Sequence, residues 1–425
     1  MLAATVAGLA HPEDGINKVQ RPLVMSFPGK DPIIVAGAGP VGATLALYLA
    51  REGFNVVLLE HCETLPEDLR ASTFHSSTLD MLDRLELSQR LIDVGLIVRK
   101  FQYRDRRTNE IAEFDMTHIA DATRHPYRLQ CEQWRLNQFC VADLKNYPNA
   151  KVLFSHSVVD VNQDADGVNV ICDTPDGQKT IRGSYVFGGD GANSQIRQKS
   201  GFDFEGFTWP EKFLVISTTY PLDKYLPRLS AVNYISDPEE WCVLLRCNNM
   251  WRVLIPTKPE DTNEKLLSEE WVQDRLQHIA PKQGDFVVGH RTLYNVHQRV
   301  ASTYRKGRVL IGGDAAHINN PLGGMGMNGG IHDAINLAEK FIAIRDGKAD
   351  DSALDLYDRQ RRITAQKFVQ DQSIKNKKQI EEKDPDAQRK MQAEMMRIAA
   401  DPVLSRPVLL KTSMIEVVRD SYQIT

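Results

Sequence analysis

Between residues 312 and 334 the chain reads GGDAAHINNPLGGMGMNGGIHDA, crowding glycines, aspartates and histidines just ahead of the helical run IHDAINLAEKF. A backbone this bare lets a flat or charged group lie directly against it, because no Cβ stands in the way. A helix that opens from such a loop adds unpaired N–H donors and a partial positive charge. Upstream, GAGPVG sets Gly37, Gly39 and Gly42 in G-x-G-x-x-G spacing around Pro40 and Val41. The first glycine permits a tight turn, the second admits a pyrophosphate to the backbone, and the third lets helix pack on strand. Glu60 follows at the end of the next apolar run, where a carboxylate can take both ribose hydroxyls. A third stretch, GGDGANSQIR, carries Asp190, Gly191 and Arg197. The first motif predicts a bound dinucleotide and leaves NAD or FAD open.

These residues need elements to position them. DPIIVAGAGPVGATLALYLAREGFNVVLLE, residues 31–60, reads as strand, glycine turn, helix and strand, the unit of a parallel sheet. Residues 78–98 read as a helix with Leu79, Leu82, Leu85 and Leu91 on one face, and FQYRDRRTNEIAEF as a hairpin turning at Arg107 to Asn109. A helix is predicted around CEQWRLNQFCVADLKN. Residues 152–187 alternate apolar and polar, with DADG and TPDG as turns, which predicts a strand and a small antiparallel meander. Residues 203–300 are rich in β-branched and aromatic segments and predict an antiparallel sheet of their own. From 331 onward the pattern is mainly helical, with a charged stretch interrupted at Pro385, and residues 1–30 read as an irregular extension.

Composition narrows the class. Of 425 residues, 42% are apolar and 25% charged, with a formal net charge of −4, which gives no reason to expect nucleic acid or a membrane surface as partner. The N-terminus lacks the basic and apolar regions of a signal peptide, and no uncharged run reaches transmembrane length. Six cysteines lie scattered without a C-x-x-C pair, so neither a metal site nor a disulfide framework is expected, and the cytoplasm is the default compartment.

Taken in order, the glycine-rich turn, the Asp190-Gly191 motif and the Gly313-Asp314 motif resemble the fingerprints of the single-component flavoprotein aromatic hydroxylases. These are the class A monooxygenases typified by para-hydroxybenzoate hydroxylase. The resemblance covers roughly residues 31 to 345. It implies an α/β fold: a Rossmann-type FAD-binding domain, an inserted mainly antiparallel substrate domain and a helical C-terminal region. The expected boundaries are 31–98, 129–202 and 300–345 for the FAD-binding domain, 99–128 and 203–299 for the substrate domain, and 346–425 for the tail. The implied cofactor is FAD, with NADH or NADPH as co-substrate and O2 plus a small aromatic molecule as reactants. Oxygen would pass to a phenol or aromatic acid from a flavin 4a-hydroperoxide. A homodimer is one admissible assembly.

Carried over residue by residue, the resemblance gives Glu60 the adenosine ribose, and Arg70 and Gln133 the pyrophosphate and ribitol region. Asp190 would serve FAD and the pyridine nucleotide, and Asp314 a ribitol hydroxyl. Gly323, Gly324 and Gly326 would let the isoalloxazine touch the backbone, the N–H groups near Met327 and Asn328 would face its pyrimidine end, and Gly313 is expected among the cofactor contacts. Pro321 stiffens the entry to that loop. A proton acceptor for the phenol is expected among His75, His317, Tyr294 and His297, and the catalytic set is read as Pro321, His75 and His317. Trp209, Tyr220, Tyr234, Trp241 and Arg246 are candidates for the substrate wall, Arg246 as partner of a carboxylate. Halogenation is disfavoured, because WRVLIP places Val253 where that related family has its second tryptophan. An oxidase of the same fold and a non-catalytic accessory protein are the remaining alternatives.

Overall fold

The computed structural model describes residues 31–67, 71–238 and 240–425. Residues 1–30 and Arg70 lie outside the described residues, so the expectations for the extension and for that arginine are not addressed by it.

Ile33–Ala36, Tyr185–Gly188 and Val309–Ile311 are short, wholly buried strands, as a sheet covered on both faces requires. They are neighbours in a six-stranded sheet completed by Val56–Leu59, Ala150–Leu153 and Arg305–Lys306. Apart from the last, which turns back antiparallel, the strands run parallel. The register pairs Ala36 with Gly188 and Gly188 with Ile311. Three chain segments far apart in sequence therefore end side by side, and each ends in one of the three motifs. In open parallel sheets ligands bind in the crevice outside the carboxyl ends of the strands.

The second main sheet has eight strands, in the order His317–Ile318, Val288–Ala301, Phe204–Thr218, Met250–Pro256, Cys242–Cys247, Val232–Ser236, Lys100–Asp105 and Ile111–Asp115. Neighbours are antiparallel except Val232–Ser236 with Lys100–Asp105. Alternation gives it two apolar faces. One packs Leu214, Ile216, Leu244 and Trp251 on the helix Glu269–Ile279. The other packs Phe101, Phe213, Trp241 and Tyr234 against Leu322 of the glycine loop and Ile380, Ala399, Leu409 and Ile415 of the C-terminal helices. That second face meets the glycine loop through Leu322.

Two expectations are corrected. The leucine pattern at 78–98 is not one helix: Ser76–Leu82 is helical, Asp83–Leu85 is a tighter turn, Ser88–Val94 is helical again, and Leu96–Val98 is a strand. Glu86, left-handed at φ 59°, breaks the run, while Leu79, Leu82, Leu85 and Leu91 are all buried, so the periodicity reported burial correctly. The last helix of the glycine region starts at Met325, earlier than 331, with Gly324 as its cap. Among the described residues no helix is long and apolar enough to cross a membrane.

Candidate active site

The phosphate turn is built by exclusion. A Cβ on Gly37 would stand 2.5 Å from the Gly189 carbonyl oxygen, and one on Gly42 only 2.0 Å from that of Gly37. A Cβ on Gly39, the cap of the helix Pro40–Arg51, would meet nothing within 4 Å. The space that Gly39 faces is open, whereas its two companions are pressed against backbone. Glu60 is buried beside the turn, accepting from the Ala38 amide at 2.9 Å through Oε2 and from the Cys62 amide at 3.0 Å through Oε1. Gln133 is half-buried at the first position of its helix, its amide donating to the Ala71 carbonyl.

Asp190 caps the short helix Gln195–Lys199, accepting from Ser194 Oγ and from the amides of Gln195 and Ile196. Burial pushes its carboxyl up from the usual carboxylate range, against those hydrogen bonds. Arg197 donates to the carbonyls of Ala315 and Ala192, so the second motif is tied to the third. Asp314 is exposed between buried Gly313 and Ala315. Beneath it, Asp333 is fully buried and accepts from the Gly313 amide at 2.9 Å, from His317 Nε2 at 2.9 Å and from Arg361 Nε at 2.6 Å. Burial alone would raise the Asp333 carboxyl, but Arg361 and His317 outweigh it and hold it at about 2. Val41 is the contact between turn and loop: a Cβ on Gly313 or Gly330 would lie 2.7 or 2.6 Å from its Cγ2.

The loop itself is fastened from behind. Gly323 and Gly324 take φ of 101° and 66°, which only glycine adopts without strain. His75 Nε2 donates to the Gly323 carbonyl at 2.8 Å. The Asn328 amide group donates to the carbonyls of Thr73 and Gly324, and its Oδ1 accepts from the His75 amide. Pro321 is exposed, and Gly326 and Met327 are half-buried in the first helical turn.

The two histidines expected to handle protons are both buried and hydrogen-bonded. His75 and His317 are 0% and 1% exposed, and each has its Nε2 committed, to Gly323 and to Asp333. Burial, with the nearby charge of Arg128, pushes His75 down to about 3. His297 is engaged with Thr208 Oγ1, and Tyr294 is half-buried on the face toward the loop.

The proposed wall residues divide by face. Trp209 and Trp241 lie on the side of Leu322, Trp241 edge-on to Phe213 and Trp209 beneath the Lys377 ammonium. Tyr220 stacks on Tyr225 and meets Phe286 in the cluster on the opposite face. Alternation puts Arg246 with Leu244 on that far side, exposed and 3.2 Å from Asp223. Sequence reasoning missed Arg128 and the Asp333–Arg361 pair. HPYRLQ and IHDAIN offer no local signal for either, since their partners come from distant segments.

The residues fit FAD: open space at Gly39, a buried carboxylate at Glu60, an exposed one at Asp314, and a glycine-lined helix start for a flat ring. Residues 30–372 match the family described as FAD binding domain. The chain is 33% identical over 389 residues to a para-nitrophenol 4-monooxygenase of Pseudomonas sp. (strain WBC-3), across 89% of this chain and 94% of that protein. It is 33% identical over 352 residues to a 6-hydroxy-3-succinoylpyridine 3-monooxygenase of Pseudomonas putida (strain DSM 28022 / S16), across 80% and 86%. Its fold matches the crystal structure of p-nitrophenol 4-monooxygenase from Pseudomonas putida DLL-E4 with TM-score 0.86 and 30% identity, across 91% of this chain and 98% of that one. The chain belongs to the FAD-binding-domain family and, within it, to the FAD-dependent aromatic-ring monooxygenases.

Proposed function

We propose that this monooxygenase hydroxylates a single-ring phenol or hydroxypyridine, with NADH or NADPH as reductant. The observation that carries the reading is the convergence of the three motifs at adjacent strand ends, with Leu322 of the glycine loop packed on the aromatic side of the eight-stranded sheet. The similar proteins named above act on a nitrophenol and a hydroxypyridine, which supports a small hydroxylated ring. Bound FAD would supply hydride acceptance and oxygen activation.

The chain's own residues bind, orient and exclude water. Glu60, Gln133 and Asp314 would hold the cofactor's ribose, phosphate and ribitol regions, and Asp190 its neighbourhood through the Arg197 tie. The amides at Gly326, Met327 and Asn328 would stabilise negative charge on the ring's pyrimidine end. Pro321 and Leu322 would lie between that ring and the substrate, with Trp209 and Tyr234 on the opposite wall. His75 and His317 fit positioning roles, one holding the loop and the other the Asp333 anchor. The reading keeps the cytoplasm as compartment and a homodimer as one assembly.

A panel of phenols and phenolic acids tests it, through NAD(P)H oxidation and product identification. Because the substrate must prefer the reactive state of the site, the correct phenol should raise oxidation about tenfold or more. One rate with every aromatic, with all the oxygen recovered as peroxide, would make the chain an oxidase instead.

A further inference from the structure

Among the described residues, three buried arginines are well answered by acceptors. Arg361 meets the Asp333 carboxylate, Arg197 two carbonyls, and Arg104 a glutamine oxygen and a carbonyl. Arg128, only 2% exposed on the strand Arg128–Gln130, has a single acceptor among the described residues, the Tyr234 hydroxyl, 3.1 Å from Nη1. Its guanidinium lies 3.8 Å over the Phe101 ring. Its Nε is buried without a partner, and among the described residues no carboxylate lies within ion-pair distance of it. A cation taken out of water and left unanswered is strongly unfavourable, and a π-face offsets only part of that.

The place of this cation matters as much as its isolation. Tyr234 joins Phe101 and Leu322 in the cluster on the face toward the loop. Arg128 is also close enough to His75, the anchor of Gly323, for its charge to act there. The Tyr234 ring stacks on Tyr103 at 5.0 Å, and both line a small cleft with Asn376 and Ile380. Asn376 in turn donates to the Leu322 carbonyl. Of the residues that line this cleft, Tyr234 is the one hydrogen-bonded to Arg128.

We propose that Arg128, seconded by the Tyr234 hydroxyl, is the anion-recognising group of the substrate pocket. It takes a negatively charged oxygen on the aromatic ring: a phenolate, a carboxylate or a nitro oxygen. The inference rests on the hydroxylase reading and narrows it to aromatics that carry such an oxygen. It also moves the anion partner from exposed Arg246 to a residue that the fold has already stripped of water. Charge-assisted hydrogen bonds made in such a setting are strong and discriminate sharply against neutral isosteres.

The test is equilibrium binding to the FAD-loaded enzyme without NAD(P)H, read from the flavin spectrum and from the absorbance of bound 4-nitrophenol. The ligands are 4-nitrophenol, 4-hydroxybenzoate and the neutral 4-methylphenol. Wild type should favour the two anion-formers and hold 4-nitrophenol ionised at a pH where the free compound is protonated. Arg128→Gln should weaken them about tenfold or more, leave 4-methylphenol within about twofold, and abolish the extra ionisation. Arg128→Lys should keep part of the preference and Tyr234→Phe should lose a smaller part, so the result stands even if Arg128→Gln folds poorly. An unchanged ratio of anionic to neutral binding in a folded Arg128 variant overturns the inference and leaves the hydroxylase reading intact. So does a change confined to FAD retention or flavin potential, which would make the cofactor the anion served. Wild type that binds no aromatic overturns both.

Discussion

His75 Nε2 stands 2.8 Å from the carbonyl oxygen of Gly323, and the His75 amide is held by Asn328 Oδ1 at 2.9 Å. One residue therefore joins the cap of the Ser76 helix to both ends of the glycine turn. The bond uses the imidazole as a donor, so His75 works in its neutral form and acts by position.

His75→Gln, which keeps a donor, should retain most of the activity, whereas His75→Leu should weaken it by about tenfold, the worth of one buried hydrogen bond. Both variants should keep the shape of the wild-type pH–rate profile. A lost limb of that profile in His75→Gln would return the residue to the role of proton acceptor.

Gly39 and Gly42 separate binding from folding. Gly39→Ala adds a Cβ that meets nothing within 4 Å at an ordinary φ of −69°, so the FAD-free protein should melt as wild type does. FAD affinity should nevertheless fall about tenfold or more, because the open space is where a pyrophosphate must approach. Gly42→Ala, with its Cβ 2.0 Å from a carbonyl oxygen, should fail at the level of the fold. Calorimetry of the apoprotein beside FAD titration distinguishes the two, and undiminished FAD binding by Gly39→Ala would displace the phosphate from this turn.

Asp314 is exposed at a buried turn, the disposition of a side chain that answers a ligand. Asp314→Ala should lower FAD affinity about ten- to a hundredfold, the worth of a charge-assisted hydrogen bond. The check is FAD retention on ultrafiltration. Wild-type retention would remove Asp314 from the site.

The FAD-binding sheet was legible because its signals are local: glycine spacing, a strand before it and a helix after it all lie within a few residues. The proton-handling and substrate residues were not, for a geometric reason. Whether Arg246 faces Leu322 depends on which side of its strand packs there, and that is decided by packing against segments distant in sequence. His75 and His317 looked available because sequence shows a side chain's chemistry without showing what already occupies it. Arg128 was invisible for the complementary reason, since Phe101 and Tyr234 reach it only in three dimensions.

Two buried imidazoles should make the protein acid-sensitive. Burial, with Arg128 for His75 and Arg361 for His332, lowers both from 6.5 to about 3. The native state keeps them neutral while the unfolded chain takes up protons, so their contribution is complete above 6.5 and lost as pH falls toward 3. Each should add about 1.4 kcal/mol per pH unit to the slope of stability within that window. Urea unfolding at several pH values measures it. His332→Gln, which can still meet Thr78, should remove one proton's worth of slope, and an unchanged slope would count against the assignment.

Val41 of the phosphate turn packs on the Gly313 turn and on the helix Met325–Arg345, with no room for a methyl group on Gly313 or Gly330. The two jaws that would grip a dinucleotide are thus set on one pivot, and their gap behaves as a gauge fixed during folding. Such a gauge selects by length: a mononucleotide flavin would reach one jaw only and forfeit the other. It also makes the jaws inseparable to mutation, so that a bulkier residue at 41 would displace the Gly313 turn while touching neither end of the cofactor.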